Sequence, residues 1–126
     1  MSARFLHQHH MRHQRDFDRC FRRKTSAADA LLVVYVCPNN LGHPRLGLSV
    51  SRRVGPAVRR NRWKRLIREA FRLERERLPE GYDLVTIPRP AAEPTLAGLR
   101  ESLVAVAGRA ARRKPRGAAS SEQAGS

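Results

Sequence analysis

The sequence has few cysteines and lysines and no long apolar run. Its two cysteines, Cys20 and Cys37, do not stand in a metal-ligand spacing, so a zinc ribbon or finger is excluded and a disulfide framework is not expected. No apolar run approaches the about 20 residues of a membrane-spanning helix, and no apolar stretch follows the first basic residues as in a signal peptide. These absences predict a cytoplasmic protein with no membrane partner.

The sequence also lacks a catalytic set. It contains no pair of close carboxylates, no local pairing of cysteine with histidine and no glycine-rich phosphate loop. His43 stands alone in a predicted turn, and the N-terminal His7, His9, His10 and His13 fit no tetrahedral ligand spacing. We therefore expect no catalytic residue and no metal ion bound by the protein alone.

Arginine, by contrast, is abundant. The chain of 126 residues has 26 Lys+Arg against 11 Asp+Glu, a formal net charge of +15. Only Lys24, Lys64 and Lys114 are lysines, so the other 23 basic residues are arginines. The guanidinium group matches phosphate oxygens and stacks on bases, which favours RNA or DNA as the partner. The alternative is a protein that is basic for solubility and is encoded by a GC-rich genome.

The first half of the chain contains one predicted helix and two predicted strands. Asp16 is a suitable cap for a helix that runs to about Arg23. The apolar run 31–36 predicts a strand, and the alternation over 46–50 predicts a half-buried strand, with a hairpin between the two. One face of the helix carries Phe17, Cys20 and Phe21.

The second half contains a long helix, a strand and a last helix. Gly55-Pro56 opens the long helix, with proline at the first helical position, and Pro79 and Gly81 end it. A strand over 82–87 and a helix over 96–106 follow. The core-facing stripe of the long helix is Trp63, Leu66, Ile67, Ala70 and Phe71.

The order α-β-β-α-β-α predicts an α+β fold, an α/β sandwich of three helices on a small sheet of about four strands. The strand–helix–strand unit over 45–88 could pair its two strands in parallel.

One side of the long helix is strongly cationic. Residues 51–77 contain 11 basic residues and three acidic ones, and like charges four apart disfavour a helix. An unpaired strip of this kind indicates an external counter-charge, and the free N–H groups at the helix start also favour phosphate. The alternative is a solvated face with some Glu–Arg pairs. The strip is Asn61, Lys64, Arg65, Arg68 and Arg72, and Arg52, Arg53, Arg59 and Arg60 stand at its start.

Phe17, Phe21 and Tyr35 form a second feature, because the sequence has few aromatic residues in all. Aromatic side chains over a sheet, next to basic residues, are typical of single-stranded RNA binding. Core packing explains these three residues equally well, and the sequence does not decide between the two.

Segment 59–71 (Arg-Arg-Asn-Arg-Trp-Lys-Arg-Leu-Ile-Arg-Glu-Ala-Phe) resembles the Arg-Asn-Arg motif of the bacterial ribonuclease P protein family. Segment 47–58 is similar to the stretch that precedes the motif in that family, and segment 15–21 is similar to its short N-terminal helix. The resemblance covers residues 11–108, most of the chain. A small basic ribosomal or ribosome-assembly protein would explain the charge, but not this motif.

The resemblance implies the protein subunit of an endoribonuclease whose RNA subunit carries the chemistry. That catalytic RNA removes the 5′ leader of precursor tRNA with Mg²⁺, which is bound mainly by the RNA. The implied partners are the catalytic RNA and precursor tRNA, with no obligate protein partner. The implied fold is like the second domain of the fifth small-subunit ribosomal protein. Its strand–helix–strand crossover would be left-handed, against the general rule.

Carried over by position, the resemblance implies two sites. Phe17, Phe21 and Tyr35 would line a cleft for the leader, between the first helix and the sheet. The surface facing the catalytic RNA and its active centre would be Arg52, Arg53, Arg59, Arg60, Asn61, Arg62, Lys64, Arg65 and Arg68. The expected organisation is a flexible, histidine-rich basic tail (1–14), one RNA-binding domain (15–110) and a disordered tail (111–126).

Overall fold

The computed structural model describes residues 7–113, which form three helices and four strands. Short 3-10 turns lie at His7–His9, Arg52–Val54 and Arg75–Arg77. No helix in this range is long and apolar enough to cross a membrane. In chain order the elements are α1 (Gln14–Arg23), β1 (Ser26–Ala28), β2 (Leu32–Pro38), β3 (Arg45–Leu48), α2 (Ala57–Glu74), β4 (Tyr82–Pro88) and α3 (Leu96–Ala111).

The strands form one mixed sheet in the order β1-β2-β4-β3, so the predicted α+β class is confirmed. β3 and β4 pair in parallel around α2, as the strand–helix–strand unit predicts, whereas β1-β2 and β2-β4 are antiparallel. The predicted hairpin of β2 with β3 is wrong, because β4 lies between them. The turn after β2 is tied to the start of β4 instead: Asn39 N–H donates to Gly81 O at 2.7 Å. The hairpin partner of β2 is β1. This strand has three residues, too few for an alternating pattern to predict it from the sequence.

α2 and α3 cover one face of the sheet and enclose the main core. Trp63, Ile67 and Phe71 of α2 are fully buried there, so the predicted stripe is confirmed, with Leu66 half-buried at its margin. Alternate residues of the central strands complete this core, because side chains of a strand point to opposite faces in turn. They are Leu32, Val34, Val36 and Leu84.

Two predicted helix starts differ from the structure, the first by three residues and the second by one. α1 begins at Gln14 behind an extended His13, and Asp16 lies in the first turn rather than at the cap. The Asp16 carboxylate is drawn instead to Arg45, 3.5 Å away. Pro56 keeps an extended ψ of 171° and is the N-cap residue of α2, so the first helical position is Ala57.

Residues 9–11 are packed against the domain, not loose as the histidine-rich composition predicts. Met11 N–H donates to Leu46 O at 2.9 Å, and His10 forms a parallel bridge with the same residue, which covers the outer edge of β3. His9 is only 4% exposed, with its ring centroid 6.1 Å from that of Phe71. Burial, followed by the nearby Arg75 charge, lowers the pKa of His9. The tail expected from 111 onward lies outside the described residues except for its first three positions.

Trp63 is the largest fully buried side chain, so Trp63→Ala should leave a cavity in the main core. We expect a loss of about 3–5 kcal/mol in the free energy of unfolding, measured by urea titration followed by circular dichroism. Val58→Ala on the same helix is the control, since Val58 is 83% exposed and should change stability by less than about 0.5 kcal/mol. A similar loss in both variants would contradict this description of the core.

Candidate nucleic-acid interface

Within residues 7–113, α1 is the helix that packs on the second face of the sheet, at one end, and the rest of that face forms a groove. Cys20 of α1 is buried with Met11, Cys37 and Val85 at the covered end. Beyond them, one row of side chains crosses the sheet from the residue after β3 to β1, with no helix of the described range above it. This groove floor consists of Ser49, Ile87, Val33 and Ala28, all half-buried or exposed.

The three predicted aromatic residues lie together between α1 and the groove. The rings of Phe21 and Tyr35 meet edge to face, with centroids 5.0 Å apart. Phe17, Phe21 and Tyr35 are all half-buried and pack on the small cluster beneath α1. They therefore contribute to packing while part of each side chain stays accessible to solvent. We call these three residues the aromatic wall.

Gly47 sets the position of Phe17. A Cβ atom at residue 47 would lie 2.8 Å from Met11 Sδ and 2.9 Å from Phe17 Cε2, closer than real Cβ contacts. Only glycine therefore allows the Phe17 ring and the N-terminal segment to approach β3 this closely.

A buried carboxylate holds α1 in place. Asp83 of β4 is fully buried and accepts hydrogen bonds from Arg45 Nε and Nη2, both at 2.7 Å, and from Arg19 Nη2 at 2.8 Å. Asn39 Nδ2 adds a bond of 2.9 Å. The hydrogen bond to Asp83 raises the pKa of Arg45. No sequence pattern predicted this cluster, although an Asp inside the apolar run 82–87 is a signal for it.

The cationic side of α2 lies next to Phe17 of the aromatic wall, at the β3 edge of the sheet. Lys64 and Arg68 line a depression of about 210 Å³ together with Phe17 and Met11. Within residues 7–113, the side chains of Lys64, Arg65 and Arg68 have neither an ion pair nor a hydrogen bond, and Asn61 is exposed beside them. The aromatic wall and these cations thus form one continuous surface.

Three of the predicted RNA-facing arginines also make hydrogen bonds within the protein. Arg59 donates to Val54 O at 2.8 Å and to Ala92 O at 2.7 Å, so it links the start of α2 to the loop after β4. Arg62 reaches the same loop through Glu93 at 3.4 Å. Arg60 Nε donates to Gly55 O at 3.1 Å.

Of three other predicted cations, one is paired with a carboxylate and two are not. Arg72 is paired with Glu69, whose pKa is lowered mainly by that hydrogen bond. The exposed side chains of Arg52 and Arg53 have no partner among the described residues. No three His, Cys, Asp or Glu side chains between residues 7 and 113 are grouped as metal ligands.

An apolar groove, walled by aromatic rings and continuous with unpaired cations, has the features of a protein that binds single-stranded nucleic acid. The sequence model of the Ribonuclease P family matches residues 5–111. The chain therefore belongs to the ribonuclease P protein family, whose members are the accessory protein subunits of a ribonucleoprotein endoribonuclease that processes tRNA 5′ leaders. The predicted family and accessory role are confirmed.

Individual relatives agree with this assignment. The chain is 49% identical over 79 residues to the ribonuclease P protein component of Pelotomaculum thermopropionicum, covering 63% of this chain and 70% of the relative. It is 39% identical over 89 residues to that of Thermotoga petrophila, covering 71% and 76%. Among solved structures, a Staphylococcus aureus RNase P protein mutant superposes with a TM-score of 0.73 at 36% identity, covering 82% of this chain and 89% of that one. The Thermotoga maritima protein gives 0.71 at 34% identity, covering 79% and 96%.

Gly47→Ala should displace Phe17 or Met11, because the added methyl group has no space. We expect a loss of about 1–3 kcal/mol in the free energy of unfolding, measured by urea titration. Gly42→Ala is the matched control, since a Cβ there meets nothing within 4 Å. Equal stability of the two variants would show that the close approach at Gly47 is not required.

Proposed function

We propose that the groove holds the 5′ leader of precursor tRNA while the cationic side of α2 contacts the catalytic RNA. The observation that carries this proposal is the shared depression, where Phe17 of the aromatic wall and Lys64 and Arg68 of α2 line the same space. A single strand lying in the groove would have aromatic rings for its bases, and the catalytic RNA would lie beside it against the ammonium and guanidinium groups of α2.

The groove suits a strand whose sequence varies. Val33 and Ile87 of the floor offer apolar side chains without hydrogen-bonding groups, so they do not select particular bases. Stacking on Phe17, Phe21 or Tyr35 is tolerant as well, because every base has a π face. Such contacts favour a leader of variable sequence.

The cations divide into two roles in this proposal. Arg52, Arg53, Lys64, Arg65 and Arg68, with Asn61, face the catalytic RNA and its active centre, because no described carboxylate neutralises them. Arg59 and Arg62 support that surface indirectly, through the loop after β4. Arg60 keeps further N–H groups for phosphate beside its bond to Gly55.

The chemistry is assigned to the RNA subunit. We place Mg²⁺ on the catalytic RNA, with the protein neutralising phosphates near it and supplying no catalytic residue. The proposed partners are the catalytic RNA and precursor tRNA, in the cytoplasm, with no obligate protein partner.

Removing the unpaired cations should lower the affinity for the catalytic RNA. It should also make that affinity less dependent on salt concentration. The triple variant Lys64→Gln, Arg65→Gln, Arg68→Gln should reduce the slope of log K against log salt by about 2, since each lost phosphate contact accounts for about 0.7. Filter binding over a salt series measures the slope. Arg77→Gln is the control, because Arg77 is 70% exposed and lies beyond the far end of α2. A triple variant with the wild-type slope would contradict the assignment.

Replacing one ring of the aromatic wall should affect only RNA that carries a leader. Phe21→Leu keeps most of the apolar volume and removes the π face, so we expect about tenfold weaker binding of precursor tRNA to the holoenzyme. Binding of mature tRNA should be unchanged. Tyr82→Leu is the matched control, because Tyr82 is a half-buried aromatic residue on the opposite face of the sheet. Equal losses for both RNAs would place the leader elsewhere.

A further inference from the structure

The groove ends at a second cationic surface, at the outer edge of β1. The groove floor crosses all four strands, and Lys64 and Arg68 stand at its β3 end. At its β1 end, Arg109 Nη2 donates to Ala28 O at 2.6 Å and Arg113 Nη1 donates to Ser26 O at 2.7 Å. Although α3 packs on the opposite face, these bonds bring two exposed guanidinium groups around the sheet edge.

Two further cations come at the end of α1, directly before β1 in the chain. Lys24 has a left-handed backbone, with φ of 57°, and its N–H donates to Phe21 O, which ends α1 directly before β1. Arg22 and Lys24 are exposed, and in the described part of the chain neither has an ion pair. We call Arg22, Lys24, Arg109 and Arg113 the β1-edge patch.

Little negative charge opposes this patch. Asp29 interacts electrostatically with Arg109, but its carboxylate already accepts bonds from Ser102 Oγ at 2.6 Å and from the N–H groups of Leu31 and Leu32 at 2.8 and 2.9 Å. Arg109 and Arg113 each have N–H groups beyond the one that bonds the strand. The patch therefore has donors and charge available for an external anion.

We propose that the β1-edge patch binds the phosphates of leader nucleotides that lie beyond the aromatic wall. This inference rests on the proposed placement of the leader in the groove. The floor spans three strand spacings, about 15 Å, so a strand that lies on its apolar surface reaches the patch at the β1 edge. Because the patch lies at the end of the groove away from the α2 cations, which we assign to the catalytic RNA, we assign the patch to the leader.

The test uses the holoenzyme and precursor tRNAs whose leaders are lengthened one nucleotide at a time. Wild-type affinity should rise when the leader reaches the aromatic wall and rise again when it reaches the β1 edge. Arg109→Gln and Arg113→Gln together should reduce the second rise about five- to tenfold and leave short leaders unaffected. Glutamine keeps an N–H donor for the strand carbonyl and removes the charge. Arg77→Gln, which also removes one exposed positive charge, should leave both rises intact.

The results distinguish a patch that binds the leader from a patch that binds the catalytic RNA. A loss that is equal for long leaders, short leaders and mature tRNA would assign the patch to the catalytic RNA and overturn the inference, as would an undiminished second rise. If wild type shows no dependence on leader length, the proposed function fails instead. Arg22→Gln is a second variant of the patch that should not disturb the fold. Unlike Arg109 and Arg113, Arg22 makes no hydrogen bond to β1. It should reduce the second rise about two- to threefold at an unchanged melting temperature.

Discussion

The buried Asp83 is the interaction on which the rest of the groove depends. Burying a carboxylate away from water costs free energy unless its oxygens accept hydrogen bonds. The Asp83 carboxylate accepts them from Arg45, Arg19 and Asn39. These partners come from β3, α1 and the turn after β2, so one group joins four parts of the chain. Because Arg19 ties α1 to this end of β4, the helix leaves the other end of the sheet open.

The arginines of this protein serve two purposes that composition does not separate. Some of them stabilise the fold through hydrogen bonds. Arg45 and Arg19 donate to Asp83, and Arg59 donates to the loop after β4. Arg100 donates to the buried Glu74. Others have no described counter-charge and line the groove or its ends. A carboxylate that binds an arginine neutralises its charge, so the ion pairs decide where net positive charge remains on the surface.

The central position of β4 also places the helices. With β4 between β2 and β3, α2 lies beside the β3 end of the groove, where Lys64 meets Phe17, and α3 lies below the β1 end. The N-terminal segment then covers β3 through Leu46, and Arg109 covers β1 through Ala28. Both sheet edges are bonded in this way, which leaves the groove as the open part of this face.

The sequence by itself determined what depends on local spacing. Periodicity and residue type predict the three helices, the three longer strands and the Trp63 stripe. The resemblance of segment 59–71 to the Arg-Asn-Arg motif indicates the family. Tertiary structure decided the rest. Strand order depends on which distant edges meet, so the hairpin of β2 with β3 was wrong and β1 was missed. His9 and Met11 pack against residues of α2 and the sheet that are distant in the sequence, so the composition of the N-terminal segment does not predict their burial. The same holds for the arginines: Arg62 and Arg65 look alike in the sequence, and only the position of the loop that carries Glu93 gives Arg62 a carboxylate partner and leaves Arg65 without one among the described residues.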